Sequence, residues 1–259
     1  MKRQGNPVYF TSAGIVGTIA ALLVALVCIR LGLWQLDRRE QRRARNAAIA
    51  ERMHAPPAVV SGPAADTAGL LYRTVEVAGE YDHEHSFVRP GRTHAGMRGV
   101  HLYTPLRLEG GGAVLVNRGW LPSRDGITAD LTPFSRPGRV QVRGLALPIG
   151  DAPPRRDTAT GPEAGPASLA ADTFPRVWYH LDADRLERQL GYPILDFYVQ
   201  RLPEPDAPEL PAPIDPPELD AGPHLSYAIQ WFSFATIALV GWGAIVIRCG
   251  EPGRRRGAD

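Results

Sequence analysis

The chain has 259 residues, of which 44% are hydrophobic and 22% are charged, and its formal net charge is +2. The hydrophobic residues are concentrated in two uncharged runs near the ends, Val8 to Ile29 and Leu225 to Ile247. Each run has the ~20 residues that a membrane-spanning helix needs, which excludes an ordinary cytosolic domain. The positive charge is almost all arginine, and its obvious clusters lie beside these runs, so no nucleic-acid partner is expected.

The first run is predicted to be an uncleaved membrane helix at residues 8–29, preceded by a cytoplasmic tail at 1–7. Lys2 and Arg3 resemble the positive start of a secretory signal. The run nevertheless ends in Val27, Cys28 and Ile29, without the small residues that a signal peptidase requires. The segment is therefore expected to stay in the membrane as an anchor.

The flanks of the second run predict the orientation. Asp215, Glu218 and Asp220 precede it and a basic tail at 248–259 follows it, so the positive-inside rule places the C-terminus in the cytoplasm. Arginines after the first run favour the reverse, but positive charge in a long translocated domain determines topology only weakly. We expect a multi-pass protein of the cell membrane, with both termini cytoplasmic and the central domain extracytoplasmic.

Between the two spans the sequence predicts one extracytoplasmic, β-rich α+β domain at residues 30–202. A helix is expected to continue out of the first span over Gln35 to Met53, because Pro56 and Pro57 follow it. Alternating or continuous apolar patterns predict five short strands: Tyr72 to Val77, Val100 to Leu108, Ala113 to Val116, Arg139 to Leu147 and Ile194 to Leu202. Glycine and proline mark the turns between them: Pro90, Gly91, Gly96, Gly99 and Gly110 to Gly112.

The C-terminal part of the domain contains one further helix signal. Asp182 is expected to cap a short helix, Ala183 to Leu190, that ends at Gly191. Residues 148–174 are rich in Pro, Ala, Gly and Thr and lack periodicity, which predicts a mobile loop. A proline-rich tether at 203–223 then leads into the second membrane helix at 224–247.

The sequence lacks the common catalytic motifs, and we expect the protein not to be an enzyme. It has no G-x-S-x-G, no H-E-x-x-H and no phosphate-binding glycine loop. His83 and His85 would share one face of a strand and bind copper or zinc there. A solvated polar turn after Tyr81 is the commoner outcome for such a pair, so an extracytoplasmic metal carrier is kept as an alternative.

Two segments at the ends of the spans carry more specific patterns. Arg30, Trp34 and Arg38 recur every four residues and share one face of a helix. Trp34 suits the aromatic belt of a membrane, and the arginines suit anionic lipid, an anionic ligand or a partner helix.

The second segment opens the C-terminal span. His224, Tyr227 and Trp231 follow i, i+3, i+7 spacing, so one helix face carries an imidazole at the water edge with aromatic rings below it. This chemistry suits axial ligation of a haem whose macrocycle packs on the rings. A histidine that merely reaches for the membrane surface is the alternative.

Several short motifs, in order, together resemble those of the surfeit locus protein one family, whose members are membrane-anchored factors for assembling cytochrome c oxidase. The resemblance covers nearly the whole chain and includes both terminal spans. It rests on Leu31-Gly32-x-Trp34-Gln35, Gly79-x-Tyr81, Thr104-Pro105-Leu106, Arg118-Gly119-Trp120-x-Pro122 and His224-Leu225-x-Tyr227-Ala228-x-Gln230-Trp231-Phe232-x-Phe234-Ala235.

The resemblance implies a role in delivering or retaining haem a during maturation of oxidase subunit I. It implies subunit I and haem a synthase as partners, beside the lipid bilayer, and His224 as the haem ligand with no other metal site. Arg30 or Arg38 would then meet the haem propionates. A scaffold that stabilises an assembly intermediate without haem is the alternative.

The resemblance also implies interaction or structural roles for residues outside the haem face. These residues are Trp34, Gln35, Arg118, Gly119, Trp120 and Gln230. For Arg118-Gly119-Trp120, the structural expectation is a tight strand-to-loop turn with a packed tryptophan.

Overall fold

The computed structural model describes residues 12–63, 67–150, 174–204 and 208–250. They form two units: a helix unit, Met1–Ala48 with Leu219–Asp259, and a strand unit, Ile49–Glu218. The helices of the described residues are α1 (Ser12–His54), α2 (Thr67–Leu70), α3 (Ala183–Leu190) and α4 (His224–Gly250). The predicted tail at 1–7, the start of the first span, most of the 148–174 loop and the end of the basic tail lie outside the described residues.

Helices α1 and α4 are both long and apolar enough to cross a membrane. α1 has 43 residues, so its length is about 65 Å, roughly twice the hydrocarbon thickness of a bilayer. The helix predicted over Gln35 to Met53 is confirmed, and it continues from the apolar run without a break.

Within the helix unit, α1 and α4 pack through small side chains. Ala25 and Cys28 of α1 form a buried cluster with Ala235 of α4. One turn further along α1, Gly32 lies beneath the ring of Phe232, and a Cβ atom on Gly32 would come within 2.7 Å of that ring. Small residues at a helix interface allow two backbones to approach closely, which is the basis of this packing.

Among the described residues, seven strands form the sheet of the strand unit. They are β1 (Ala58–Val60), β2 (Thr74–Tyr81), β3 (Phe87–His94), β4 (Met97–Leu108), β5 (Ala113–Pro122), β6 (Arg139–Pro148) and β7 (Ile194–Arg201). The sheet order is β1-β2-β6-β7-β5-β4-β3, and β2 also pairs with β4. This extra pairing closes β2, β6, β7, β5 and β4 into a small barrel, which the expected β-rich α+β class did not specify.

Alternate residues of the barrel strands fill its interior. Val75 and Val77 of β2, for example, are buried with Phe197 of β7 in one cluster that includes residues from all five ring strands. The opposite face of β5 contributes Leu115 to a second cluster beneath α3, which includes Trp178. The period of two that predicted the strands therefore also selects which side chains enter each core.

Gly79 allows the barrel to close. It pairs with Val140 of β6 on one side and with Leu108 of β4 on the other. A Cβ atom on Gly79 would clash with the backbone carbonyl of Arg107. The motif Gly79-x-Tyr81 is thereby explained by close backbone approach at the closure.

The five predicted strands are confirmed, but two described strands, the short β1 and the longer β3, were missed. β3 contains Pro90 and Gly91, which the sequence assigned to a turn, and the ladder with β4 is irregular between Arg89 and Arg92. A bulge at this outer strand accommodates the proline, which has no N–H group to donate. The turn itself lies at Ala95 and Gly96, both with positive φ.

The C-terminal part of the strand unit is also held by specific bonds. The Asp182 carboxylate accepts a hydrogen bond from the Arg185 amide, and Gly191 ends α3 in the left-handed conformation, so both predicted caps are confirmed. Within the segment assigned to a tether, Ala212 pairs with Trp120, and the Gln200 amide donates to the carbonyl of Asp215 at 3.0 Å. Part of that segment therefore lies along the barrel.

Asp82 is the centre of a polar cluster beside the barrel. One of its carboxylate oxygens accepts hydrogen bonds from the Tyr192 hydroxyl at 2.8 Å, from His85 Nδ1 at 2.9 Å and from Arg107 at 3.2 Å. Burial by itself opposes ionisation, but the hydrogen bonds from Tyr192, His85 and Arg107 outweigh it, so the pKa of Asp82 is lowered. The folded state thus favours the charged carboxylate.

Replacing Asp82 by asparagine is expected to lower the free energy of unfolding near neutral pH by about 1–3 kcal/mol. Since the pKa of Asp82 is lower in the folded state, its contribution is complete above the unfolded pKa of about 3.9 and is lost as the pH falls through the folded value. Denaturant titrations of the parent and Asp82→Asn at several pH values should show that the difference between their free energies of unfolding becomes smaller below about pH 4. A difference independent of pH would contradict this account.

Candidate functional site

His224 is the first residue of α4, and its side chain is directed towards α1 of the same unit. Its Nδ1 atom lies 2.9 Å from the amide oxygen of Gln35, so that atom donates and the oxygen accepts. In the part of the chain that the structure describes, no hydrogen bond involves His224 Nε2. This nitrogen is the atom with which the imidazole could bind a metal.

The chain entering α4 is fixed by polar contacts from α1. Arg42 Nε and Asn46 Nδ2 both donate to the carbonyl of Asp220, at 3.0 and 2.9 Å. The Asp220 carboxylate in turn accepts from the amide of Gly222, which has a φ of 71°. These bonds hold the backbone just before His224 and restrict where its imidazole can lie.

The predicted aromatic face of α4 is only partly turned towards α1. Trp231 is half-buried against the cluster of Ala25, Cys28 and Ala235. Tyr227 is 48% exposed and therefore lies at the flank of the helix pair. Gln230 is exposed as well. The geometry therefore provides an imidazole at the start of α4, a half-buried Trp231 ring further along the helix and an exposed Tyr227 ring at its flank.

Arg42 borders the same glycine as His224. A Cβ atom built on Gly222 would lie 3.4 Å from the His224 ring and 3.6 Å from Arg42 Nη1, so both groups border this glycine. Arg30 and Arg38 are exposed, and Arg38 donates to Gln41 on its own helix at 3.0 Å.

Sequence reasoning did not select Arg42. The available signal was its spacing, because Arg42 follows Gln35 by two helical turns and shares its face. Trp34, by contrast, is 53% exposed and points away from the helix interface.

Arg118-Gly119-Trp120 lies in the strand unit and is not the predicted strand-to-loop turn. β5 runs through the motif to Pro122, and its register with β4 shifts because Arg118 is an extra residue between Asn117 and Gly119. This bulge needs Gly119, whose φ is 133° and whose missing Cβ leaves room for the carbonyl of Ala212. The expectation of a turn was wrong because the buried Asn117 continues the strand beyond its apolar run.

Trp120 and Arg118 both make structural contacts. Trp120 is 2% exposed, exchanges two backbone hydrogen bonds of 2.8 Å with Ala212, and donates through its indole to the carbonyl of Arg92. Arg118 donates to the carbonyl of Phe134 at 2.8 Å and stacks 4.6 Å above the Tyr81 ring. Burial lowers the pKa of Arg118. The predicted packing of Trp120 is confirmed.

His83 and His85 do not lie on a strand, so the geometry that favoured a shared metal is not formed. They occupy a short 3-10 helix, in which residues two apart point in different directions. His83 Nε2 contacts the carbonyl of Arg136 at 2.8 Å, whereas His85 contacts Asp82. Among the described residues, no group of three or more His, Cys, Asp or Glu side chains could hold a metal ion.

Comparison with known proteins identifies the family. The model of the SURF1 family matches residues 22–236, which is most of the chain. The chain belongs to the SURF1 family. The matched region begins in α1 and ends in α4, so it includes Gln35, His224 and the Arg118-Gly119-Trp120 motif. The SURF1 family is generally linked to cytochrome oxidase assembly.

Three SURF1 relatives are distant in sequence but match this chain over most of their length. A SURF1-like protein of Monosiga brevicollis is 27% identical over 235 residues, which cover 86% of this chain and 85% of the relative. An uncharacterized SURF1-like protein of Mycobacterium tuberculosis is 27% identical over 217 residues, covering 82% and 75%. A SURF1-like protein of Rickettsia felis is 25% identical over 229 residues, covering 86% and 93%.

Proposed function

We propose that this SURF1-family protein holds haem a transiently and delivers or retains it during maturation of cytochrome oxidase subunit I. In this proposal α1 and α4 span the cell membrane, both termini are cytoplasmic and the strand unit is extracytoplasmic. Subunit I and haem a synthase are the proposed partners. The protein acts as an assembly factor and catalyses no reaction.

The observation that carries the proposal is the state of the His224 imidazole. Nδ1 bonds to the Gln35 amide oxygen, and Nε2 is not engaged by the described residues. A neutral imidazole with one protonated and one free nitrogen is the form that ligates haem iron. The residues present therefore fit a haem as cargo, with His224 Nε2 as the axial ligand.

The surroundings of His224 fit the remaining parts of a haem. Tyr227 and Trp231 offer aromatic surface on the same helix, one exposed and one half-buried. The Arg42 guanidinium and the imidazole both border Gly222, and Arg30 lies on α1 before Gln35. We assign propionate binding to Arg42 first, because a guanidinium forms charge-assisted hydrogen bonds with carboxylates.

Ligation through one histidine also suits a carrier that must release its cargo. A second protein ligand would hold the iron from both sides and slow its transfer. Among the described residues, no other histidine contacts His224. The described residues therefore offer one histidine donor atom at this site.

The experiment is the visible spectrum of the full-length protein, purified in detergent from a host that makes haem A, beside His224→Ala prepared in the same way. We expect a haem a band in the parent and its loss in the variant, because alanine removes the ligating nitrogen. His54→Ala is the matched control, since His54 is an exposed histidine that ends α1.

Each result separates the candidate functions. Equal bands in the parent and His224→Ala would exclude His224 as the ligand. No band in either, together with oxidase assembly that tolerates His224→Ala, would favour a scaffold without haem. Copper that is lost on changing His83 and His85 would favour the metal carrier.

A further inference from the structure

Gln35 is the polar residue of α1 that meets the proposed haem ligand. Its amide oxygen lies 2.9 Å from His224 Nδ1, across 189 positions of sequence. Both side chains are partly buried between the two helices of the helix unit. The contact therefore belongs to the packing of α1 against α4.

The hydrogen bond selects one tautomer of the imidazole. An amide oxygen only accepts, so the proton of a neutral His224 must lie on Nδ1. The lone pair is then left on Nε2, directed away from Gln35. Which ring nitrogen is free to bind a metal is commonly set in this way by the partner of the other nitrogen.

We infer that Gln35 is a positioning residue that holds His224 in the Nδ1–H tautomer and in the orientation that presents Nε2 to haem iron. This inference rests on the proposed function. It gives Gln35 a specific chemical role in the site. The sequence had indicated only an interaction or structural role for this residue.

The surrounding packing makes this contact possible. Gly32 precedes Gln35 by one helical turn and lets Phe232 pack directly on the α1 backbone. On the other side of His224, Arg42 and Asn46 hold the carbonyl of Asp220. The imidazole and the amide are thus fixed by their own backbones before any ligand arrives.

A neutral amide is also a suitable partner for a carrier. A carboxylate on Nδ1 would give the imidazole more anionic character and make Nε2 a stronger donor to ferric iron. Gln35 fixes the tautomer without that added donor strength. Orientation is therefore gained while the iron bond stays weak enough for release.

The test compares Gln35→Leu, which cannot accept a hydrogen bond, with Gln35→Glu, which accepts one more strongly. Gln41→Leu is the matched control, because Gln41 is an exposed glutamine of α1 that bonds to Asp37 on its own helix. All variants are full-length proteins in detergent. A folded state is verified by circular dichroism before either measurement.

The first measurement uses the haem-free protein labelled with 15N-histidine. The His224 signals are identified by their absence in His224→Ala. We expect the parent and Gln41→Leu to show protonated Nδ1 and unprotonated Nε2. Gln35→Leu should populate the tautomer with the proton on Nε2, whereas Gln35→Glu should keep the proton on Nδ1 as in the parent.

The second measurement is a titration with ferric haem A, followed by the reduction potential of the complex. Loss of a hydrogen-bond partner of a metal-ligating histidine weakens metal binding by roughly 10–100-fold, so Gln35→Leu should raise the dissociation constant by that factor. Gln35→Glu should bind at least as tightly as the parent and have a lower potential. Gln41→Leu should match the parent in both.

Two results would overturn the inference, and they differ from each other. A parent that binds haem A, with tautomer, affinity and potential unchanged in Gln35→Leu, would show that Gln35 does not position His224. A parent that binds no haem A would remove the proposed function and with it the role of Gln35 toward iron. In that case the tautomer measurement still reports whether the hydrogen bond forms.

Discussion

Replacing Trp120 by alanine is expected to lower the free energy of unfolding of the strand unit by about 3–5 kcal/mol. The side chain is 2% exposed, packs over Gly99 and has the His94 ring 5.2 Å away. Removing it leaves a cavity that the rigid β4–β5 ladder cannot fill by relaxation. The loss also removes the indole hydrogen bond to the carbonyl of Arg92.

The measurement is denaturant unfolding of the full-length protein in detergent, followed by circular dichroism because that signal does not depend on the tryptophan that is removed. Tyr179→Ala is the matched control, since Tyr179 is an aromatic residue of the same unit that is 48% exposed. Its stability should change by less than about 0.5 kcal/mol. A Trp120→Ala variant as stable as this control would contradict the packing described here.

Replacing Gly32 by leucine is expected to separate α1 from α4 at the level of His224. Even a Cβ atom at this position would come within 2.7 Å of the Phe232 ring, so a leucine has no space. Overpacking of this kind costs about 1–3 kcal/mol, which corresponds to a loss of the closely packed form by a factor of about 5 to 150. The Gln35–His224 contact should be lost with it.

A disulfide cross-link reports this separation directly. Cys28 and Ala235 share one buried cluster, so Ala235→Cys in a Cys249→Ser background should form a Cys28 to position 235 disulfide on oxidation. Adding Gly32→Leu should reduce its yield by about tenfold. Gly241→Leu is the control, because a Cβ atom on Gly241 would meet nothing within 4 Å. Equal yields in both variants would disprove close packing at Gly32.

Local patterns were sufficient for the elements of secondary structure. The apolar runs predicted α1 and α4, the period of two predicted five of the seven strands that the structure describes, and Asp182 with Gly191 predicted both ends of α3. These features depend on interactions within a few residues, so the sequence contains them directly. The β3 strand was missed because Pro90 and Gly91 are turn residues by local preference, and only pairing with β4 holds them in a bulged strand.

The sequence identified the motif residues but not why the fold requires them. Gly79 and Gly119 were selected by resemblance, yet each is required because a backbone carbonyl from a distant segment, Arg107 or Ala212, lies where a Cβ atom would be. Barrel closure and the bulge at Arg118 depend on which strands pair. That choice is made by the packing of the whole core and leaves no periodic signal.

For the candidate site, the sequence by itself placed His224 at the start of an apolar helix with Tyr227 and Trp231 at helical spacing. Only the tertiary structure paired His224 with Gln35 and brought Arg42, rather than Arg30 or Arg38, beside it. Helical periodicity determines which residues share a face of one helix. It does not determine which two faces meet, because that depends on the fit of small residues such as Gly32 against large ones such as Phe232.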